Sequence, residues 1–420
     1  MKRLFGNIGW LLGGRGFNAV LSLVYLALAT RTLGLDGFGH FALIVALGQT
    51  VTGIANFQTW QFVVRWGAED KGAQRAVGFA IALDLLSILV GALMSALLVW
   101  SIQFWLPLPD ELLPLAFGFC VVSLLSIRTT PTGVLRLHFA YGRATAAEAV
   151  QPAIRAVGAG LAALLMPTVT GFILAWAAAE VGVALAIWLT AAKIEPVDWK
   201  EVSLKRLPRE KPGAWKFVWA INFTGSLNIG GKQVMLLLVG ALGGEALAGG
   251  FRVASQLGQA LVQLAQAVSK AVYPELVHAR DAAHDMARRI ANIALVAGVI
   301  AVIAAIVLGR PGLALIAGPE FSGVYWAMVI LAIAGAFELV GASLESLLVS
   351  AGKAHTAFLI RAVPTLLAFV LLQTSIDWMG LKGAGFAVLG SSALSVLGFW
   401  VAIISLQQIR ITVDDAATRL

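Results

Sequence analysis

Cysteine is nearly absent from this chain. Cys120 stands alone inside an apolar run, which excludes an intramolecular disulfide and any CxxC metal site. Histidine is scarce as well. His40, His138, His278, His284 and His355 are scattered, and the one close pair, His278 and His284, lies on a charged amphipathic stretch that reads as a solvated helix face. Charged residues make up only 12% of the chain, against about 25% in an ordinary soluble protein. Neither a hydrolase serine elbow nor a phosphate-cradling glycine loop is present. The expectation is a protein without catalytic residues, metal or cofactor, and not an enzyme.

What fills the chain instead is apolar, at 59% of 420 residues. About twelve runs reach the roughly 20 residues that a membrane-spanning helix needs. They lie near 8–30, 38–60, 77–101, 112–130, 147–166, 169–192, 214–240, 246–272, 290–309, 324–350, 356–376 and 384–406. The run behind Met1-Lys2-Arg3 reads as a first transmembrane helix and not as a removed signal, because many more runs follow it. Met166-Pro167 separates two runs by a very tight turn, which predicts antiparallel neighbours. The expected fold is therefore an all-α polytopic membrane protein.

The loops supply an orientation. Lys and Arg collect in alternate loops: Lys2 and Arg3; Arg65, Lys71 and Arg75; Arg136 and Arg143; a cluster from Lys193 to Lys216; then Lys270, Arg280, Arg288 and Arg289. By the positive-inside rule these loops are cytoplasmic, with both termini inside. The same rule accounts for the net charge of +8 without any nucleic acid. The longest polar stretch falls near the middle, giving an expected division into a six-helix half at 1–192, a cytoplasmic linker at 193–213 and a second six-helix half at 214–420. The outer loops are short and leave no room for an outer catalytic domain.

The halves also match internally. Ala46-Leu47-Gly48-Gln49 in the second run corresponds to Gln256-Leu257-Gly258-Gln259 in the eighth, and Phe41 and Asn56 correspond to Phe251 and Gln266. With one gap, Leu33-Gly34-Leu35-Asp36 corresponds to Leu242-Gly243-Gly244-Glu245. Both copies enter the membrane from the same side, so the repeat is parallel, with its pseudo-axis along the membrane normal.

The segment Ala29-Thr30-Arg31-Thr32-Leu33-Gly34-Leu35-Asp36-Gly37-Phe38-Gly39 resembles an early signature of the polysaccharide-transporter branch of the multidrug/oligosaccharidyl-lipid/polysaccharide exporter superfamily. So do Val134 to Arg143, Ala317-Gly318-Pro319-Glu320-Phe321 and Val349-Ser350-Ala351-Gly352-Lys353. The resemblance covers nearly the whole chain. It implies two six-helix bundles around a central cavity, working by alternating access in the bacterial inner membrane. It also implies a cargo, undecaprenyl-pyrophosphate-linked oligosaccharide flipped from the inner to the outer leaflet for surface polysaccharides such as lipopolysaccharide O-antigen. Membrane lipids and polysaccharide polymerases are the implied partners.

Polar residues inside the apolar runs are the candidate sites, since a charge at membrane depth costs about 2.5–3.5 kcal/mol on insertion scales. Arg252, Gln256, Gln259, Gln263, Gln266 and Lys270 fall within an arc of about 80° at about 100° per residue. Lipid cannot satisfy stacked amides, and glutamine suits sugar hydroxyls; the alternative is hydrogen bonding to neighbouring helices. Gln49, Thr52 and Asn56 form a thinner version on the second run. Lys232 and Arg15 are candidates for holding a pyrophosphate, with snorkelling to the interface as the other reading of Arg15. Arg128 and Arg155 are further cationic candidates, although Glu148 shares a helix face with Arg155 and offers it a structural ion pair. Asp84, Glu180, Glu338 and Glu345 are buried acids that either couple transport to a proton or sodium ion or compensate the arginines. Arg361 reads as an interfacial residue. The rival functions are a drug or cation antiporter of the same superfamily and a membrane polysaccharide polymerase or ligase.

Overall fold

Apolar runs of this length fold as helices because hydrocarbon offers no partner to a bare backbone N–H or C=O. The computed structural model describes residues 2–68, 72–276, 283–350 and 353–418. Within some helices the side chains of further residues, Arg15, Gln266 and Lys270 among them, lie outside what is described. The helices are α1 (Lys2–Ala55), α2 (Trp60–Gly67), α3 (Gly72–Ile102), α4 (Leu113–Leu125), α5 (Thr129–Leu137), α6 (Tyr141–Glu148) and α7 (Val150–Leu165). They continue with α8 (Val169–Ala192), α9 (Arg206–Glu210), α10 (Ala214–Leu276), α11 (Ala283–Ile316), α12 (Tyr325–Ser350), α13 (Ala354–Met379) and α14 (Leu381–Thr418). No strand occurs among the described residues.

Nine stretches among the described residues are long and apolar enough to cross a membrane. Two of them, Val20–Gly67 and Gly231–Gln263, run through a helix break. Separating the arms at each break, and adding the 16-residue α7, brings the tally to about twelve spans. The chain is an all-α polytopic membrane protein. Along α3, Leu85, Leu89, Leu93 and Leu97 are exposed at one-turn intervals, a stripe suited to lipid.

The chain forms two compact units, residues 1–249 and 250–420. In the first, α1 packs on α4, α7 and α8, α3 packs on α4, and α7 pairs with α8 across a turn of three residues. Tyr25, Phe41 and Trp176 meet edge-on at its centre, with centroids 5.0 to 6.0 Å apart. The 193–213 stretch is docked on this unit. Leu207 is buried with Phe62, Trp66 and Phe79, Glu210 pairs with Arg75 at 2.8 Å, and Glu195 bonds Gln74 and faces His138. In the second unit α11 packs on α12, α12 on α14, and α13 on α14, the same order of pairings as α3–α4, α4–α8 and α7–α8.

The two breaks reveal the repeat. Gly34 (φ 67°, ψ −170°) and Gly244 (φ 86°, ψ 175°) each interrupt a helix with a single residue in a conformation that L side chains avoid. They correspond in the same ungapped register that pairs Gln49 with Gln259, which corrects the gapped match of Gly34 to Gly243. The contacts are reciprocal. A Cβ at Gly39 would overlap the carbonyl oxygen of Glu245, and one at Gly249 would lie 2.6 Å from that of Leu35. Gly39 corresponds to Gly249 and Leu35 to Glu245, so the two turns meet about a local pseudo-two-fold.

Overpacking this crossing carries a cost. Gly39→Val and Gly249→Val are each expected to lose about 1–3 kcal/mol, read as a lowered melting temperature of the purified protein in detergent. Gly118→Ala, with nothing within 4 Å of its added Cβ, serves as the neutral reference.

Candidate functional site: polar clusters at membrane depth

Two helices stop short of where their apolar runs end, and each stop delivers polar side chains inward. The fourth run was expected to span 112–130 as one helix. Instead α4 ends at Leu125 and α5 begins at Thr129, with Arg128 between them. The second run ends at Ala55 in the same way, and Gln58 turns the chain with φ 50° before Thr59 starts α2.

The first cluster is cationic. Glu180 on α8 accepts from Arg128 Nη1 at 2.8 Å, Arg155 Nη2 at 2.7 Å and Gln151 Nε2 at 2.8 Å. Arg155 also lies 3.6 Å from the centre of the Trp176 ring, and its Nε has no hydrogen-bond partner among the described residues. One carboxylate serving two guanidiniums leaves the cluster with a surplus positive charge. Arg155 thus takes Glu180, distant in sequence, and not Glu148, its helical neighbour.

The second cluster surrounds Asp84, which is 5% exposed on α3. Thr130 donates to its Oδ2 at 2.6 Å and Thr59 to its Oδ1 at 3.1 Å. Thr129 lies 3.4 Å from Oδ1 and 3.3 Å from Asn56 Oδ1. Asn222 reaches the Asn56 backbone carbonyl at 3.2 Å. Asp84 and Asn56, assigned separately from sequence to ion coupling and to substrate, are in one network.

A third cluster lies in the second unit. Arg361 Nη2 pairs with Glu345 at 3.1 Å. A cavity of about 60 Å³ is lined by Glu338, Arg361, Thr365, Ser391, Ser392 and Ser395. Arg361 and the serines of α14 were not singled out from sequence. Arg361 read as an interfacial residue, and only its closeness to Glu345 on the preceding helix, invisible in the sequence, marks it.

The remaining candidates are more dispersed. On the second arm of α10, Arg252, Gln256 and Gln259 are half-buried and Gln263 is exposed. Gln256 Oε1 is buried without a hydrogen-bond partner among the described residues, and Gln259 donates to Ser255 Oγ at 3.2 Å. Gln49 is half-buried on α1 and Lys232 is exposed on α10. The side chains of Arg15 and Gln266 fall outside the described residues. No group of three or more metal-ligating side chains is found among the described residues.

A repeat-built helical fold with ion pairs held among its apolar helices defines a polytopic membrane protein. The chain belongs to the polysaccharide biosynthesis protein family, whose model matches residues 27–325. It is 25% identical over 337 residues to the inner membrane protein YghQ of Escherichia coli K12, covering 77% of this chain and 95% of that one. Among solved structures it is similar in fold to the lipid II flippase MurJ in an inward closed conformation. That likeness has a TM-score of 0.72 at 12% identity, over 94% of this chain and 87% of the other. It is also similar to an inward-facing multidrug resistance MATE family transporter of the MOP superfamily, with a TM-score of 0.66 at 16% identity and 96% of each chain covered.

The Arg128–Glu180–Arg155 cluster predicts non-additive mutants. Glu180→Gln leaves two half-buried guanidiniums without their anion and is expected to cost about 1–3 kcal/mol. The double variant Glu180→Gln/Arg155→Gln should recover part of that loss, as a double-mutant cycle of melting temperatures would reveal.

Proposed function

We propose that this protein is a flippase that moves undecaprenyl-pyrophosphate-linked oligosaccharide from the inner to the outer leaflet by alternating access. The observation that carries the reading is membership of the polysaccharide biosynthesis protein family by a chain of transporter architecture. Its place is the bacterial inner membrane, with both termini cytoplasmic; the positive loops and the inner-membrane relative support this. The working halves are 1–192 and 214–420, joined by the 193–213 linker.

Each candidate group has a chemical task in this reading. Lys232, Arg252 and Arg15, with the surplus charge of Arg128 and Arg155, attract the pyrophosphate. Gln256, Gln259, Gln263 and Gln266, joined by Gln49 and Asn56, hydrogen-bond the sugars. The prenyl chain stays in the bilayer. Asp84, Glu180, Glu338 and Glu345 are the acids available for coupling to a proton or sodium ion. The destination is a surface polysaccharide such as O-antigen, with a polymerase as downstream partner. A drug or cation antiporter is the second reading, favoured by the MATE-like fold. The likeness in fold to the flippase MurJ and the short outer loops of the sequence favour transport over a polymerase or ligase.

A deletion strain tests the reading. It should accumulate undecaprenyl-linked oligosaccharide in extracted lipid and lose surface polymer, and the wild-type gene should restore both. Lys232→Ala and Arg252→Ala should insert normally yet fail to restore surface polymer. Full restoration by both variants would remove these residues from the site.

A further inference from the structure

The side chains around Asp84 present only oxygen to it, while backbone N–H groups of Thr130 and Gln58 donate to Asp84 and to Asn56 Oδ1 respectively. Thr59, Thr129 and Thr130 present three hydroxyls to a carboxylate, with Asn56 Oδ1 at the edge. The hydroxyls also approach one another, Thr59 to Thr129 at 2.8 Å and Thr59 to Thr130 at 2.9 Å. Each hydroxyl brings a single hydrogen, and an ionised carboxylate or an amide oxygen brings none. Three hydrogens are too few to fill all of these approaches, so lone pairs face lone pairs unless a positive charge joins them.

Other acids already have that charge. Glu180 faces Arg128 and Arg155, and Glu345 faces Arg361. Asp84 makes no ion pair among the described residues. Six cationic side chains on the described elements around it face other partners. Arg128, next to Thr129, holds Glu180. Arg65 on α2 lies over Phe217, and Arg136 on α5 lies over Trp60. Arg75 at the start of α3 pairs with Glu210 of α9, Arg206 pairs with Glu201, and His138 faces Glu195.

The backbone is bent to assemble the network. Gln58, a non-glycine residue, holds φ 50° beside Thr59, a strained region that clusters at functional sites. Thr59 sits at the N-cap of α2, yet its side chain makes no capping bond; the hydroxyl that ordinarily caps a helix is turned to Asp84 instead. Thr59 and Thr130 are fully buried.

We propose that Asp84, Thr59, Thr129 and Thr130 form a binding site for one monovalent cation, a proton or a sodium ion. The shared chemistry is a single positive charge on a carboxylate with hard oxygen partners. Thr129 and Thr130 follow Arg128 directly, so occupancy at Asp84 bears on the break that also carries the Arg128–Glu180 pair. A part in driving transport rests on the flippase reading; occupancy of the site does not.

Occupancy is measured on the purified full chain in lipid nanodiscs, without any cargo. One arm reads equilibrium binding of radioactive sodium at alkaline pH. The other reads the infrared band of a protonated carboxyl as pH falls. Sodium binding at one site per chain, or a protonated-carboxyl band, lost in either case in Asp84→Asn, supports the site and names the ion. Thr130→Val and Thr59→Val should weaken sodium binding by about tenfold or more, or shift the carboxyl titration by a comparable factor. These two variants read the same loss if Asp84→Asn does not fold. Signals of wild-type size in Asp84→Asn, or in both threonine variants, would overturn the proposal. Failure of the deletion strain to accumulate lipid-linked oligosaccharide would instead overturn the cargo and leave this site standing.

Discussion

Hydrocarbon gives a charge no partner, so every acid at membrane depth must find its neutraliser inside the protein. The polar interior of this chain is arranged by that demand. Glu180 satisfies two arginines, Glu345 holds a third, and Asp84 gathers hydroxyls. The break between α4 and α5 sits at the junction. Arg128 leaves it toward Glu180, and Thr129 and Thr130 leave it toward Asp84. An α-helix continued through 126–128 would carry these side chains round the helix at about 100° per residue instead of holding both networks from one short turn. The interruption is therefore part of how the charges are satisfied.

The repeat imposes a second constraint. Gly34 and Gly244 each turn a helix with one residue, and Gly39 and Gly249 allow the turned segments to cross at backbone distance. Side chains at either position would push the carbonyls of Glu245 and Leu35 away. Close approach through small residues is how helices associate where no hydrophobic force pulls them together. The candidate polar residues follow the repeat only in part. Gln49 and Gln259 correspond, while the glutamine-rich face belongs to the second copy alone.

Hydropathy made the spans legible, along with the tight turn at Met166-Pro167 and the rank of charged residues worth attention. Lipid imposes those features residue by residue, so local sequence carries them. The breaks were less legible. A short outer loop was expected at 33–36, where one glycine suffices, because the φ of a glycine is not written in its neighbours. Partners distant in sequence were not legible. Arg155 had Glu148 at helical spacing and chose Glu180. Threonine was the least informative residue. Thr30, Thr50 and Thr52 bond the carbonyl one turn back in their own helix, whereas Thr59, Thr129 and Thr130 build a site, and nothing in the surrounding sequence separates the two uses. Arg361 was explained by the positive-inside rule until its pairing with Glu345 placed it beside a polar cavity.

The most direct measurement is transport itself. Purified protein in liposomes is given undecaprenyl-pyrophosphate-linked oligosaccharide, and the glycan on each leaflet is followed by cleavage with an impermeant glycosidase. A flippase moves the protected glycan into the cleavable leaflet faster than protein-free liposomes do, and Arg252→Ala slows it. Movement at the protein-free rate, from a preparation that is folded and inserted, would contradict the assignment.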